Sequence, residues 1–119
     1  MLDSYSGLIA ILLYGLVEFA VHRSRVGLID LQFTHHRSDW QRDGRPQGSS
    51  LTRGEVTFFN SYLARQIVGW KWLAATPSWL ASTPGGTVLL RRYRTLWWLS
   101  VLAIVLLVVF LVGASQGAA

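Results

Sequence analysis

Cysteine is absent from this 119-residue chain, and charged residues make up only 14% of it. Without cysteine there is no disulfide framework, no thiolate metal site and no cysteine nucleophile. The charged fraction lies below the roughly 25% that is usual for soluble domains. The length allows at most one domain. These shortages exclude a small disulfide-stabilised fold and disfavour an ordinary water-soluble one.

Catalytic and cofactor motifs are also lacking. Gly85-Gly86 has no Gly-Lys-Ser/Thr after it, so it indicates a turn and not a phosphate loop. The three histidines, His22, His35 and His36, are too few for the clustered iron ligands of membrane oxygenases. The second apolar run has no histidine, which excludes a haem held by one histidine from each helix. We therefore expect no enzyme activity, no cofactor and no small-molecule substrate.

Apolar residues are concentrated at the two ends of the chain, and the second run is the longer. Leu96 to Gly113 carries no charge, and eighteen helical residues measure about 27 Å, close to a hydrocarbon core of about 30 Å. Trp97 and Trp98 stand at its start, where indole rings favour the headgroup level, and Arg91, Arg92 and Arg94 precede them. The pattern predicts a transmembrane helix over about 91–113, with the helix starting as early as residue 87.

The first apolar run is shorter. Ser4 to Val17 is uncharged but reaches spanning length only if the sequence from Glu18 to about residue 22 is added. We predict a span over about 4–22, with Asp3 or Ser4 as its N-cap. No positive residue precedes the run, so we expect it to be retained and not cleaved as a signal peptide.

Positive charge is confined to the middle of the sequence. The window from Arg23 to Arg94 holds all eleven basic residues and four acidic ones, a net charge of +7. Such a loop is retained in the cytoplasm, so we expect both termini in the periplasm. Ten of the eleven basic residues are Arg, which favours a GC-rich bacterial genome and hence a bacterial inner membrane. The charge is explained by topology and anionic phospholipid, so no nucleic-acid partner is expected.

The predicted cytoplasmic loop, about 23–90, has two parts. Residues 34–50 are polar and predict an irregular stretch, and few apolar residues remain for a compact core. Thr52 and Glu55 fit a capping box before an amphipathic helix over about 53–75. We expect Ser61 and Arg65 on its polar side. Its apolar face is formed by Val56, Phe59, Leu63, Ile67, Trp70 and Ala74. Either the membrane interface or a partner protein would cover that face.

Glu18 and His22 lie four residues apart on one helix face, at the membrane edge. Di-iron bundles space Glu and His by three and need further carboxylates. We expect a polar pair at the interface, in which Glu18 contacts His22 or Arg25. The alternative is a metal or haem ligand completed by another chain, because an ionisable group at membrane depth is a functional candidate.

The sequence thus predicts an all-α integral membrane protein, in which a hairpin of two transmembrane helices carries a cytoplasmic amphipathic interfacial helix. We expect a non-catalytic accessory subunit of a larger bacterial inner-membrane complex, respiratory or photosynthetic, that packs against larger integral membrane subunits. The alternatives are a structural component of a secretion or conjugation machine and a subunit sharing a metal or haem site. The expected partner or lipid contacts are Trp40, Phe59, Leu63, Ile67, Trp70, Trp79, Arg91, Arg92, Arg94, Trp97 and Trp98.

Overall fold

The computed structural model describes residues 4–117, with the backbone alone at positions 4, 50, 53, 55, 58 and 117. Within these residues all regular secondary structure is helical and there are no strands, which confirms the predicted all-α class. Two short 3₁₀ helices, Ser50–Glu55 and Ser78–Ser82, separate the later α-helices. The α-helices are α1 (Ser4–His35), α2 (Arg37–Arg42), α3 (Phe58–Ala74) and α4 (Gly86–Gly117).

Helices α1 and α4 are both long and apolar enough to cross a membrane. Each has 32 residues, or about 48 Å at 1.5 Å per residue, more than a bilayer core requires. Helix α1 continues past the predicted end of the first span, near residue 22, and ends at His35. Helix α4 begins one residue before the predicted Thr87. Asp3, the alternative N-cap of α1, lies outside the described residues.

The chain divides into two compact units. The span unit consists of residues 1–21 and 95–119, and the loop unit consists of residues 22–94. The loop unit has a buried apolar core of its own, so the expectation that the middle of the chain lacks one is wrong. Long-range packing of side chains from all four α-helices and the second 3₁₀ helix builds it. Its members are Leu28, Ile29, Phe33, Trp40, Ala64, Val68, Trp72, Trp79, Leu80, Leu90 and Tyr93.

Much of the stretch predicted to be irregular, residues 34–50, is helical. After α1 ends, α2 forms and closes with a Schellman turn, in which the Gly44 N–H donates to Gln41 O (3.2 Å) and the Arg45 N–H to Trp40 O (3.0 Å). Gly44 has a φ of 92°, and a Cβ there would lie 3.2 Å from the Ala64 Cβ. The turn therefore needs a glycine and brings Arg45 to α3.

The predicted capping box does not start α3. Thr52 is buried in the first 3₁₀ helix, where its hydroxyl accepts from the Gly48 N–H (2.9 Å) and donates to Ser49 O (3.2 Å). These local bonds compete with a capping role. The N-cap of α3 is Thr57, so the helix starts five residues after the predicted residue 53 and ends at Ala74, next to the predicted 75. The Glu55 side chain lies outside the described residues.

Candidate functional site: the two faces of helix α3

Helix α3 is apolar on both of its sides, and only one side packs inside the loop unit. Ser61, Ala64, Val68 and Trp72 are 7% exposed or less. The predicted contact residues lie on the other side, where Phe59, Ile67 and Trp70 are each about two-thirds exposed and Leu63 is 43% exposed. These four side chains are named the α3 outer face here. What covers the outer face stays a prediction.

Ser61 lies opposite the predicted apolar face, as the sequence predicts, but that side of α3 is packed and is not a polar surface. Ser61 itself is 2% exposed. Arg65 is only half-buried, and burial together with the nearby Arg25 guanidinium lowers its pKa from the ordinary value. Two apolar faces compete for the core in this helix. The packed side carries Ala64 and Gly69, and these small residues allow α3 to approach its neighbours closely.

A close approach at Gly69 holds the second half of α3 in place. The Tyr93 hydroxyl donates to Gly69 O (2.7 Å), and the Arg25 Nε lies 3.4 Å from the same hydroxyl. A Cβ at Gly69 would lie 2.9 Å from the Arg25 Nε. Arg94 donates from Nε to Trp72 O at 2.9 Å. This half of α3 is therefore tied to residues of α1 and α4 that lie next to the two apolar runs in sequence.

Arg94 and two of the predicted contact tryptophans are engaged inside the loop unit. The Trp40 ring is fully buried, donates from Nε1 to Pro46 O (2.9 Å) and meets the Phe33 ring edge-on at 4.7 Å. Trp79 is 6% exposed and packs against the rings of His36 and Trp72. Both rings supply core volume and are therefore not free to contact lipid or a partner.

Of the other predicted contacts on α4, Arg91, Arg92 and Trp98 are exposed, and Trp97 is half-buried. In the span unit, the rings of Trp97 and Trp98 form an edge-to-face pair with centroids 5.0 Å apart, and Trp98 is 66% exposed. Arg91, Arg92 and Trp98, together with the α3 outer face, expose aromatic and basic groups at the surface.

Glu18 has a partner that the sequence did not suggest. Its carboxylate accepts a hydrogen bond from the hydroxyl of Ser100 in the span unit, and Ser100 is 9% exposed. The sequence pattern does not single out Ser100, because its hydroxyl is a small interruption in an apolar run. The only sequence signal is that a hydroxyl inside a span needs an acceptor. His22 is exposed and lies within electrostatic reach of Arg65 and Arg25.

The described part of the chain contains no assembled set of metal ligands. No group of three or more His, Cys, Asp or Glu side chains comes together there. No protein-family model, curated protein or solved structure matches the sequence. The α3 outer face is the feature with the clearest functional implication, because it is large, apolar and carried by a unit whose core is already complete without it.

Proposed function

We propose that the chain is a non-catalytic accessory subunit of a larger bacterial inner-membrane complex. Helices α1 and α4 anchor it, and the loop unit lies in the cytoplasm. The α3 outer face contacts a larger integral membrane subunit at the membrane surface. The observation that carries the proposal is the exposure of Phe59, Ile67 and Trp70 on a helix whose opposite side packs in a complete core.

Membrane anchoring is supported by where the apolar residues are. The most apolar windows of α1 and α4 are buried over only 6% and 0% of their residues. A soluble protein hides its core helices, whereas a bilayer is the solvent that long exposed apolar helices require. The net charge of +7 between Arg23 and Arg94 supports a cytoplasmic loop unit.

An interfacial position for α3 is supported by its contacts with the neighbouring helices. Gly69 and Trp72 hydrogen-bond to Tyr93 and Arg94, which immediately precede the apolar run of α4. Trp70 is two-thirds exposed in the same turn, and indole rings favour the headgroup level. The exposed Arg91 and Arg92 suit anionic phospholipid headgroups.

Affinity purification of tagged variants from native membranes tests the proposal. Leu63→Asp and Trp70→Asp place a carboxylate on the α3 outer face, where the packed core is not disturbed. Buried aromatic contacts at interfaces are often worth about 2 kcal/mol or more. We expect partner recovery to fall roughly thirtyfold, which corresponds to that energy. Leu51→Asp is the matched control, because Leu51 is 60% exposed outside α3.

Two results would reject the proposal. One is recovery of the protein as a monomer in lipid under all mild extraction conditions. The other is equal partner recovery for Trp70→Asp, Leu51→Asp and the unsubstituted protein. A photo-crosslinking residue at Ile67, compared with one at Leu51, gives an independent measurement. We expect a specific crosslinked product from position 67 alone.

Orientation is tested separately with single cysteines in this naturally cysteine-free chain. Ser115→Cys should react with a membrane-impermeant thiol reagent added from the periplasmic side. Ser38→Cys, at an exposed position of α2, should react only after the membrane is opened. The opposite pattern would reverse the topology while leaving the α3 outer face unaffected.

A further inference from the structure

A polar pocket of about 250 Å³ opens at the first turn of α3, in the loop unit. None of the four outer-face residues lines it. The Schellman turn after α2 forms one wall and the start of α3 forms the other. The lining residues are Gln41, Gly44, Arg45, Thr57, Asn60 and Ser61.

The α3 wall of the pocket is a helix N-terminus with unused donors. The first N–H groups of a helix have no intrahelical acceptor, and the helix dipole adds partial positive charge there. The N-cap residue Thr57 makes no side-chain capping hydrogen bond. With 17 residues, α3 is long enough for this effect. The pocket therefore has backbone donors and a field that favours an anion.

Ser61 is an independent indication that the pocket has a ligand. The residue is 2% exposed, yet it lines the pocket. Its backbone is satisfied, since its N–H donates to Thr57 O (3.0 Å) and its carbonyl accepts from the Gln47 N–H (3.1 Å). Among the described residues its hydroxyl has no hydrogen-bond partner. Since Ser61 lines the pocket, its hydroxyl can donate to an acceptor bound there.

Arg45 supplies the positive charge. It lines the pocket, is exposed, and forms no ion pair with any described side chain. The two carboxylates of the neighbouring α2 region are already engaged. Asp39 pairs with Arg42, while Asp43 pairs with Lys71 at 3.2 Å and accepts from Gln32 at 2.8 Å. The Arg45 guanidinium is therefore available to a ligand.

We propose that this pocket binds the oxyanion of a phosphate monoester. The Arg45 guanidinium pairs with two phosphate oxygens, the Ser61 hydroxyl and the first N–H groups of α3 donate to the others, and the amides of Gln41 and Asn60 complete the rim. The pocket volume exceeds that of a phosphate group, which leaves room for the esterified part. The monoester is either a soluble metabolite or a lipid headgroup. This site is independent of the accessory function proposed above.

Inorganic phosphate is the first probe, added to the full-length protein in nanodiscs of zwitterionic lipid. The readout is the amide NMR shifts of Phe59, Asn60 and Ser61 against chloride at equal ionic strength. We expect a saturable shift confined to these amides. Arg45→Gly removes the charge and suits the positive φ of 56° at this position, so the turn is kept. Its affinity should fall at least tenfold.

Ser61→Ala and Arg91→Gln complete the series. Ser61→Ala keeps the packed side of α3 and removes only the hydroxyl, and its affinity should fall at least threefold. Arg91→Gln removes the same charge as Arg45→Gly from an exposed position on α4, and its affinity should stay within twofold. Equal losses in Arg45→Gly and Arg91→Gln, or a linear shift without saturation, would overturn the proposal.

Nanodiscs containing phosphatidic acid distinguish the two sources of the monoester. A lipid ligand shifts the same three amides without added phosphate, and Arg45→Gly abolishes that shift. A soluble ligand leaves the amides unshifted in phosphatidic acid discs, and free phosphate still saturates the site. Unshifted amides under both conditions would show that the pocket binds no phosphate.

Discussion

The two units of this chain use apolar residues in opposite ways. In the described part of the span unit only Val21 and Ser100 are buried, although its helices are the most apolar in the molecule. The loop unit carries nearly all of the charge and nevertheless has a closed core of aromatic and aliphatic side chains. Apolar content and core formation are therefore separate properties. Apolar content determines whether a segment is stable in lipid or in water. Core formation needs side chains from different helices that fit together.

The sharpest test of this contrast compares two adjacent residues of α3. Val68 is 1% exposed and Ile67 is 64% exposed. Val68→Asp buries a carboxylate, which raises its pKa by up to about 3–5 units and costs roughly 5 kcal/mol. We expect the loop unit to lose its fold, measured by hydrogen exchange and near-ultraviolet circular dichroism. Ile67→Asp should keep the fold and lose the partner, and equal unfolding of both variants would contradict the two-faced helix.

The sequence predicts those elements that depend only on the properties of neighbouring residues, such as hydropathy. Long uncharged apolar runs identified α1 and α4, because hydropathy and length need no tertiary information. The core could not be foreseen in the same way, since residues as distant as Phe33, Trp72 and Leu90 form it together. The sequence periodicity of α3 does not decide which of its two faces packs against the core. Close approach at Gly44 and Gly69 selected the packed face.

The two units should also differ in how much stability is lost when a tryptophan is replaced by alanine, by slightly less than in the Val68 and Ile67 comparison. Trp40→Ala empties a fully buried site and removes the Nε1–Pro46 hydrogen bond. Large-to-small changes of this kind cost about 3–5 kcal/mol. Trp98→Ala, at a ring that is 66% exposed, should change stability by less than about 0.5 kcal/mol. Denaturant titration in detergent micelles measures both, and a loss above 2 kcal/mol for Trp98→Ala would imply that the ring is packed.

The smallest effect is expected inside the span unit, at the Glu18–Ser100 hydrogen bond. Hydrogen bonds between membrane helices average about 0.6 kcal/mol in double-mutant cycles. A cycle of Glu18→Ala and Ser100→Ala should give a coupling energy of that size. Glu18→Gln keeps an acceptor oxygen and should preserve assembly and activity of the complex. If the complex assembled normally but lost its activity, Glu18 would have a functional role and not a structural one.

The distribution of indole rings makes the protein its own spectroscopic probe. Three of the six tryptophans, Trp40, Trp72 and Trp79, are buried in the loop unit, whereas Trp70 and Trp98 are largely exposed. Brominated lipids quench only rings that reach the bilayer, and aqueous iodide quenches only rings that reach water. Trp97 is half-buried, so emission that resists both quenchers comes mainly from the buried three. It would disappear when the loop unit unfolds, so folding and membrane contact could be followed in one unlabelled sample.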